Sequence, residues 1–208
     1  GINRFYEACV SSGRQISLIG SIIICASIII GVLSMTGLGV KLTSLIISLS
    51  GNSIWPALIL TGLACLLLGM EVPTTAAYVI CVSVAGPALV DMGLGLLQVH
   101  LFVFWFALLS TITPPVCGTV FIASGMVSEN WLKVSITSMS LGIGLYFIPL
   151  AMIANDEIIK LDTEFLYAII AFLKIALSLV MLSYALISKS LIFLRILAFG
   201  LGMVLMFV

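Results

Sequence analysis

Residues 92–128 read MGLGLLQVHLFVFWFALLSTITPPVCGTVFIASGMVS, 37 positions without a formal charge and interrupted only by His100. Wound as one straight helix they would reach roughly 55 Å, nearly twice the ~30 Å of bilayer hydrocarbon. Pro114-Pro115 supplies the break. Proline removes a backbone donor, clashes with the preceding turn and pushes the residue before it out of helical geometry. The stretch therefore reads as a broken helix over 98–128: half-helices at 98–112 and 116–128, with Thr113-Pro114-Pro115 unwound between them.

A second interruption lies upstream, at Gly69-Met70-Glu71-Val72-Pro73-Thr74-Thr75. It separates the apolar runs 53–68 and 76–90, each too short to span and reverse by itself. Together they fit a re-entrant helical hairpin over 53–90.

Composition sets the solvent. Of 208 residues, 62% are hydrophobic and 8% charged, with eight charges of each sign. A water-facing surface needs about 25% charged residues, so this is an all-α integral membrane chain, its length suited to about six or seven passages. The neutral balance excludes a nucleic-acid partner, and the apolar content excludes disorder. Gaps between charges measure further spans at 16–35, 134–153, 166–187 and from 191 onward, because charges are costly in hydrocarbon. Residues 36–51 have near-helical apolar spacing and suit an amphipathic interfacial helix. Residues 155–164 form a polar linker with four acids and one lysine. Positive residues set an orientation with Arg4, Arg14, Lys133 and Lys189 cytoplasmic, Lys41 and Lys160 outside, and Arg195 snorkelling inward. The first fifteen residues are mixed and polar, unlike a signal peptide. The chain starts at Gly1 and ends inside an apolar run, which is expected of a piece of a longer polypeptide. Five cysteines without CxxC or Cys/His spacing predict neither disulfides nor a zinc site.

Non-helical backbone at membrane depth is tolerated where it is buried in protein or lines a wet cavity. Unwound carbonyls can hold a small cation, and half-helix N-termini offer N–H groups and a positive dipole end to a carboxylate. On that chemistry the cation ligands are expected among Gly69, Met70, Glu71, Pro73, Thr75, Ser110, Thr111 and Thr113, with Asn52 a further neutral oxygen. The anion is expected at Thr74, Thr75, Thr113 and Pro114, with Val116-Cys117-Gly118 opening the second half-helix.

The two motifs GMEVPTTAAYVI and HLFVFWFALLSTITPPVCGTVFIASGM together closely resemble the large membrane subunit of tripartite ATP-independent periplasmic (TRAP) transporters. The nearest group is the fused permeases that work with TAXI-type binding proteins. NRFYEACVSSGRQ and TGLGVKL fit the same family, so the likeness covers at least residues 1–155. The resemblance implies an elevator-type secondary transporter of two inverted repeats, each with one hairpin and one broken helix. This chain holds one of each, as the C-terminal half of the permease would. Residues 1–155 would be the repeat, and 156–208 additional C-terminal helices. The implied activity is import of a small organic acid anion, C4-dicarboxylates being a family class, driven by a sodium or proton gradient with sodium as the bound ion. The implied partners are the N-terminal half of the permease, a small membrane subunit (separate or fused) and a periplasmic TAXI-type binding protein. The place is a bacterial or archaeal cytoplasmic membrane. The family usually has Gly-Met-Gly-Leu-Pro-Thr-Thr at the tip. Here Glu71 replaces the second glycine, as a cation ligand, a protonatable coupling group or an acid facing the outer vestibule.

Other readings weigh less. His100 among Phe102, Phe104, Trp105 and Phe106 suits a packed, hydrogen-bonded histidine better than a proton relay. Asp91 is expected in solvent, Lys174 to snorkel or pair, and Gly142, Gly144, Gly200 and Gly202 to admit close helix approach. An enzyme is disfavoured: Ser110 stands ten residues from the sole histidine, and HExxH is absent. A channel or a structural subunit without coupled transport is the alternative.

Overall fold

Residues 2–36 contain no proline, and the computed structural model winds them into one helix, α1 (Ile2–Thr36). The polar opening residues are thus helical too, and the predicted span 16–35 lies wholly inside α1. The structure describes residues 2–51, 53–70, 72–188 and 191–207. Gly37 ends α1 at φ 66°, a left-handed value that glycine adopts without penalty. The chain then turns into α2 (Leu38–Ser50), and Ile23–Leu33 and Leu38–Ser50 form an apolar pair bent by 68°.

The hairpin follows as α3 (Ile54–Leu68) and α4 (Thr74–Val84), which face each other through small residues. Ala57, Cys65, Ala77 and Cys81 are fully buried, and the Cys81 thiol reaches the Cys65 carbonyl at 3.6 Å. The predicted arm 76–90 is not one helix. It ends at Val84, and Gly86-Pro87 opens a short α5 (Gly86–Asp91), because proline is favoured in a first turn and disruptive inside one.

Next come α6 (Leu96–Leu109) and α7 (Gly118–Val127), the two halves of the broken helix. Phe102, Val103, Val99 and Leu89 bury against the hairpin in the main core. The predicted span 134–153 is also split, into α8 (Trp131–Leu141) and α9 (Ile143–Ala154), bent by 41° at Gly142. A 3-10 turn (Asp156–Ile159) occupies the polar linker. Then α10 (Phe165–Ile187) and α11 (Ile192–Phe207) pack on each other along much of their length. A β-carbon on Gly202 would sit 3.2 Å from the Ser178 carbonyl, and one on Gly144 3.1 Å from Leu179, so both glycines mark close approaches; Gly200 has no neighbour within 4 Å.

The described residues hold helices and turns without strands. Among the described residues, by length and composition, one helix, Phe165–Ile187, is able to cross a membrane, and counting each bent pair as one span gives three, beside the six or seven passages expected from length. The hairpin arms and half-helices are 10–17-residue apolar helices instead. Their exposed faces, including Leu63, Leu67, Leu97 and Phe121, are apolar, as lipid or protein neighbours require.

Asn155 and Lys174 are partnered inside the bundle, whereas the Thr43 and Thr61 hydroxyls are buried without a hydrogen-bond partner among the described residues. The Asn155 amide nitrogen, 4% exposed, donates to the carbonyls of Ala151 and Met206, each at 2.9 Å, and its oxygen accepts from the Lys174 ammonium at 2.8 Å. Lys174 therefore pairs, as expected, but with a neutral amide. The Arg195 guanidinium does not simply reach outward: Nε donates to the Ala185 carbonyl at 2.7 Å, at the C-terminal end of α10, where a cation complements the helix dipole. Lys189 lies outside the described residues.

Candidate transport site

The hairpin tip forms because two residue types end one helix and start another. The Gly69 N–H closes α3 on the Cys65 carbonyl at 2.9 Å. Pro73 cannot continue a helix from below, yet serves as the N-cap of α4, where its missing N–H costs nothing. The first bond of α4 runs from Ala77 N–H to the Pro73 carbonyl at 2.9 Å.

The break in the other helix is built the same way. After Leu109 the backbone tightens: Thr111 and Ile112 N–H groups reach back three residues, to Leu108 and Leu109, each at 3.2 Å. Pro114 and Pro115 supply no donors, their shared peptide bond is cis, and helix resumes at Gly118 behind the N-cap Cys117. Three hydroxyls line this turn and all donate to the preceding turn: Ser110 to the Ala107 carbonyl (2.7 Å), Thr111 to that of Leu108 (2.8 Å) and Thr113 to that of Leu109 (2.6 Å). A hydroxyl that spends its proton this way keeps oxygen lone pairs for another partner. Thr113 shares its oxygen with the Tyr146 phenol of α9 at 2.6 Å, while the Trp105 indole donates to the Leu145 carbonyl at 2.9 Å. These contacts tie the break to the bend of α8 and α9.

Tip and break meet. Gly69 and Ser110 are both buried, and a β-carbon added to Gly69 would stand 2.6 Å from Ser110 Oγ. About two turns earlier in α3, Gly62 faces the Phe106 ring at 3.0 Å by the same measure. The glycines thus let α3 lie flat against α6, and the two interruptions read from sequence come together in space.

The other predicted residues divide. Thr74 and Thr75 are exposed at the start of α4 and line a cavity of about 420 Å³ with Tyr78, Leu97, His100, Leu101 and Phe104. Thr75 therefore opens toward the His100 side of α6, whereas Thr113 opens toward α9. Met70, Thr111, Thr113 and Pro114 are half-buried, and Pro73 is exposed. Glu71 and Asn52, both expected ligands, lie outside the described residues. His100 is a hydrogen-bonded, packed histidine, as its neighbours implied, though its partner is not local: Tyr78 Oη is 2.6 Å from its Nδ1, and Tyr78 also stacks edge-on against Phe104. Asp91 is exposed. Sequence reading passed over Tyr78 and Tyr146. Tyr78 had a signal, since it follows Thr74 and Thr75 by four and three positions and so shares their helix face.

Among the described residues no cluster of His, Cys, Asp and Glu is able to hold a metal ion, and the oxygens the described residues offer here are neutral. The geometry offers a glycine tip, a ring of hydroxyls and two half-helix N-termini.

Compared with known protein families, residues 1–165 match the tripartite ATP-independent periplasmic transporter, DctM component. The chain belongs to that family. It is a large permease component of a TRAP transporter, a multi-pass membrane protein of a family of transporters rather than enzymes. The family implies a periplasmic binding protein and a small membrane subunit as partners. No curated protein matches the chain, and no solved structure does. The match ends at Phe165, the first residue of α10, so α10 and α11 lie almost wholly beyond it.

Proposed function

We propose that this TRAP permease component imports a small organic acid anion, delivered by a periplasmic binding protein, by coupling it to a sodium or proton gradient across a bacterial or archaeal cytoplasmic membrane. The observation that carries the reading is the packing of the hairpin tip at Gly69 against the helix break at Ser110. Two unwound segments at one place supply backbone carbonyls and hydroxyl oxygens of the kind that a hard cation such as sodium takes. In this reading Gly69, Met70, Glu71, Pro73, Thr75, Ser110, Thr111 and Thr113 furnish the ion ligands, and Thr74, Thr75, Thr113 and Pro114 border the anion. The chain acts as the C-terminal repeat of an elevator-type inverted-repeat permease, with residues 156–208 as added helices and a TAXI-type binding protein as its donor. A fused small subunit fits the same group.

The test is uptake by the intact permease with its binding protein in liposomes, under sodium and proton gradients imposed separately. Gradient-dependent accumulation of a carboxylate supports the reading. Flux that is independent of the binding protein and never accumulates would assign a channel instead.

A further inference from the structure

From Leu42 to Leu132 the chain has no lysine or arginine. The hairpin and the broken helix therefore hold no permanent cation with which to meet a carboxylate. Recognition there has to come from neutral donors, helix N-termini or the single histidine. The structure places that histidine where it is needed. His100 borders the cavity of about 420 Å³ into which the start of α4 opens, beside Thr74 and Thr75. Its ring is held by the Tyr78 phenol at 2.6 Å, and Tyr78 is fixed in turn by edge-on contact with Phe104. The remaining lining, Leu97, Leu101 and Phe104, is apolar, so donors and apolar surface are arranged as in small-molecule pockets.

We propose that this cavity takes the carboxylate of the transported anion, and that His100, oriented by Tyr78, is the specificity-determining donor. Tyr78 O–H donates to Nδ1, which leaves the imidazole proton on Nε2 and presents Nε2–H to the anion together with the Thr74 and Thr75 hydroxyls. A carboxylate accepts such bonds, whereas a primary amide replaces one acceptor oxygen with a donor and is turned away. Tyr78 is a positioning residue. The inference rests on the anion-import reading above.

The experiment is uptake by the permease with its binding protein in liposomes, using acetate, succinate and 2-oxoglutarate as labelled probes and the matching amides as competitors. Wild type should take up at least one acid and ignore its amide. His100→Leu should raise the apparent KM about tenfold or more, the loss of a hydrogen bond to a charged group, and should lose the acid-over-amide preference. His100→Gln, which keeps an N–H near the Nε2 position, should stay within about threefold and shows that the fold tolerates change there. Tyr78→Phe should raise KM severalfold in wild type yet add little in His100→Gln, because the two act through one group. Asp91→Asn, whose side chain borders a separate cavity shared with His100, should leave KM unchanged. His100→Leu with unchanged KM and preference, in a wild type that does transport, overturns the inference alone. A wild type that takes up none of the acids overturns the anion-import reading and this site with it.

Discussion

Gly69→Ala tests the contact on which the site is built. The added methyl would meet Ser110 Oγ at 2.6 Å, Ser110 Cβ at 3.0 Å and the Cys65 carbonyl at 3.1 Å. Relief by rotation of Ser110 is expensive, because that side chain is fully buried and donates to the Ala107 carbonyl at 2.7 Å. Overpacking a closed core costs about 1–3 kcal/mol, and a surrendered hydrogen bond about 1 kcal/mol more. Gly69→Ala should therefore destabilise the purified permease by about 2–4 kcal/mol. It should also open the tip, so that a cysteine at position 113 becomes more reactive to a small hydrophilic thiol reagent. Ser110→Ala alone should cost about 1 kcal/mol. Because it removes the atom that clashes, Gly69→Ala combined with Ser110→Ala should be milder than the sum by about 1 kcal/mol, the sign of two residues in contact. Thermal unfolding in detergent, read by intrinsic fluorescence, measures all three proteins. Strict additivity, or a Gly69→Ala protein that melts with the wild type, would refute the tip-on-break packing.

Asn155→Ala removes two donors and the Lys174 acceptor at once; it should cost about 2–3 kcal/mol and speed hydrogen exchange in α11 more than in the hairpin, with Lys174→Met restoring part of the loss. Thr113→Val cuts the bond to Tyr146 and should weaken sodium dependence of uptake, whereas Thr75→Ala, at the His100 cavity, should raise KM for the anion, while both insert normally; unchanged ion affinity and KM would return these hydroxyls to packing. In the polar linker, the hydrogen bond that the Lys160 ammonium donates to the Asp156 carboxylate holds Lys160 above its ordinary pKa. A raised folded-state pKa adds stability that is complete below the unfolded value near 10.5 and is lost as pH climbs through the folded one. Melting should therefore be flat from about pH 7 to 9, and Asp156→Asn should move the Lys160 titration, followed by NMR, downward; an unmoved titration would detach the pair.

The breaks were legible because their causes are local. Pro114-Pro115 and Pro73 remove donors wherever they stand, and no tertiary context returns them. The same logic was open at Gly86-Pro87, yet the apolar run 76–90 outweighed it in a reading by charge gaps, and the split at Ala85 went unseen. Gly142 shows the opposite limit. Glycine inside an apolar run is compatible with a straight helix or a bend; here a β-carbon would stand 3.2 Å from the Ser138 carbonyl, and Ile112, beside the helix break, packs at 3.6 Å. Hydropathy reports solvent along a chain and says little about which apolar helices shelter one another, which is why the short apolar helices could not be told from full spans by sequence.

The site was legible as two pieces and not as a pair of faces. Sequence placed hydroxyls beside unwound backbone and grouped Thr75 with Thr113. The structure joins the segments through Gly69 and Ser110, residues whose part is to be small and buried, and turns the two threonines toward different partners. Thr113 leans on Tyr146 of α9, and Thr75 looks across to His100. A transporter has reason to separate them. On the proposed reading, a cation held by carbonyls and hydroxyls would take the tight tip-on-break contact, and an organic anion the roomier, apolar-walled cavity along α6. The Ser110 end and the His100 end of α6 lie on one rigid half-helix. On that reading, a movement of the hairpin that loosened one end would shift the other, a mechanical link of the kind that coupled transport requires.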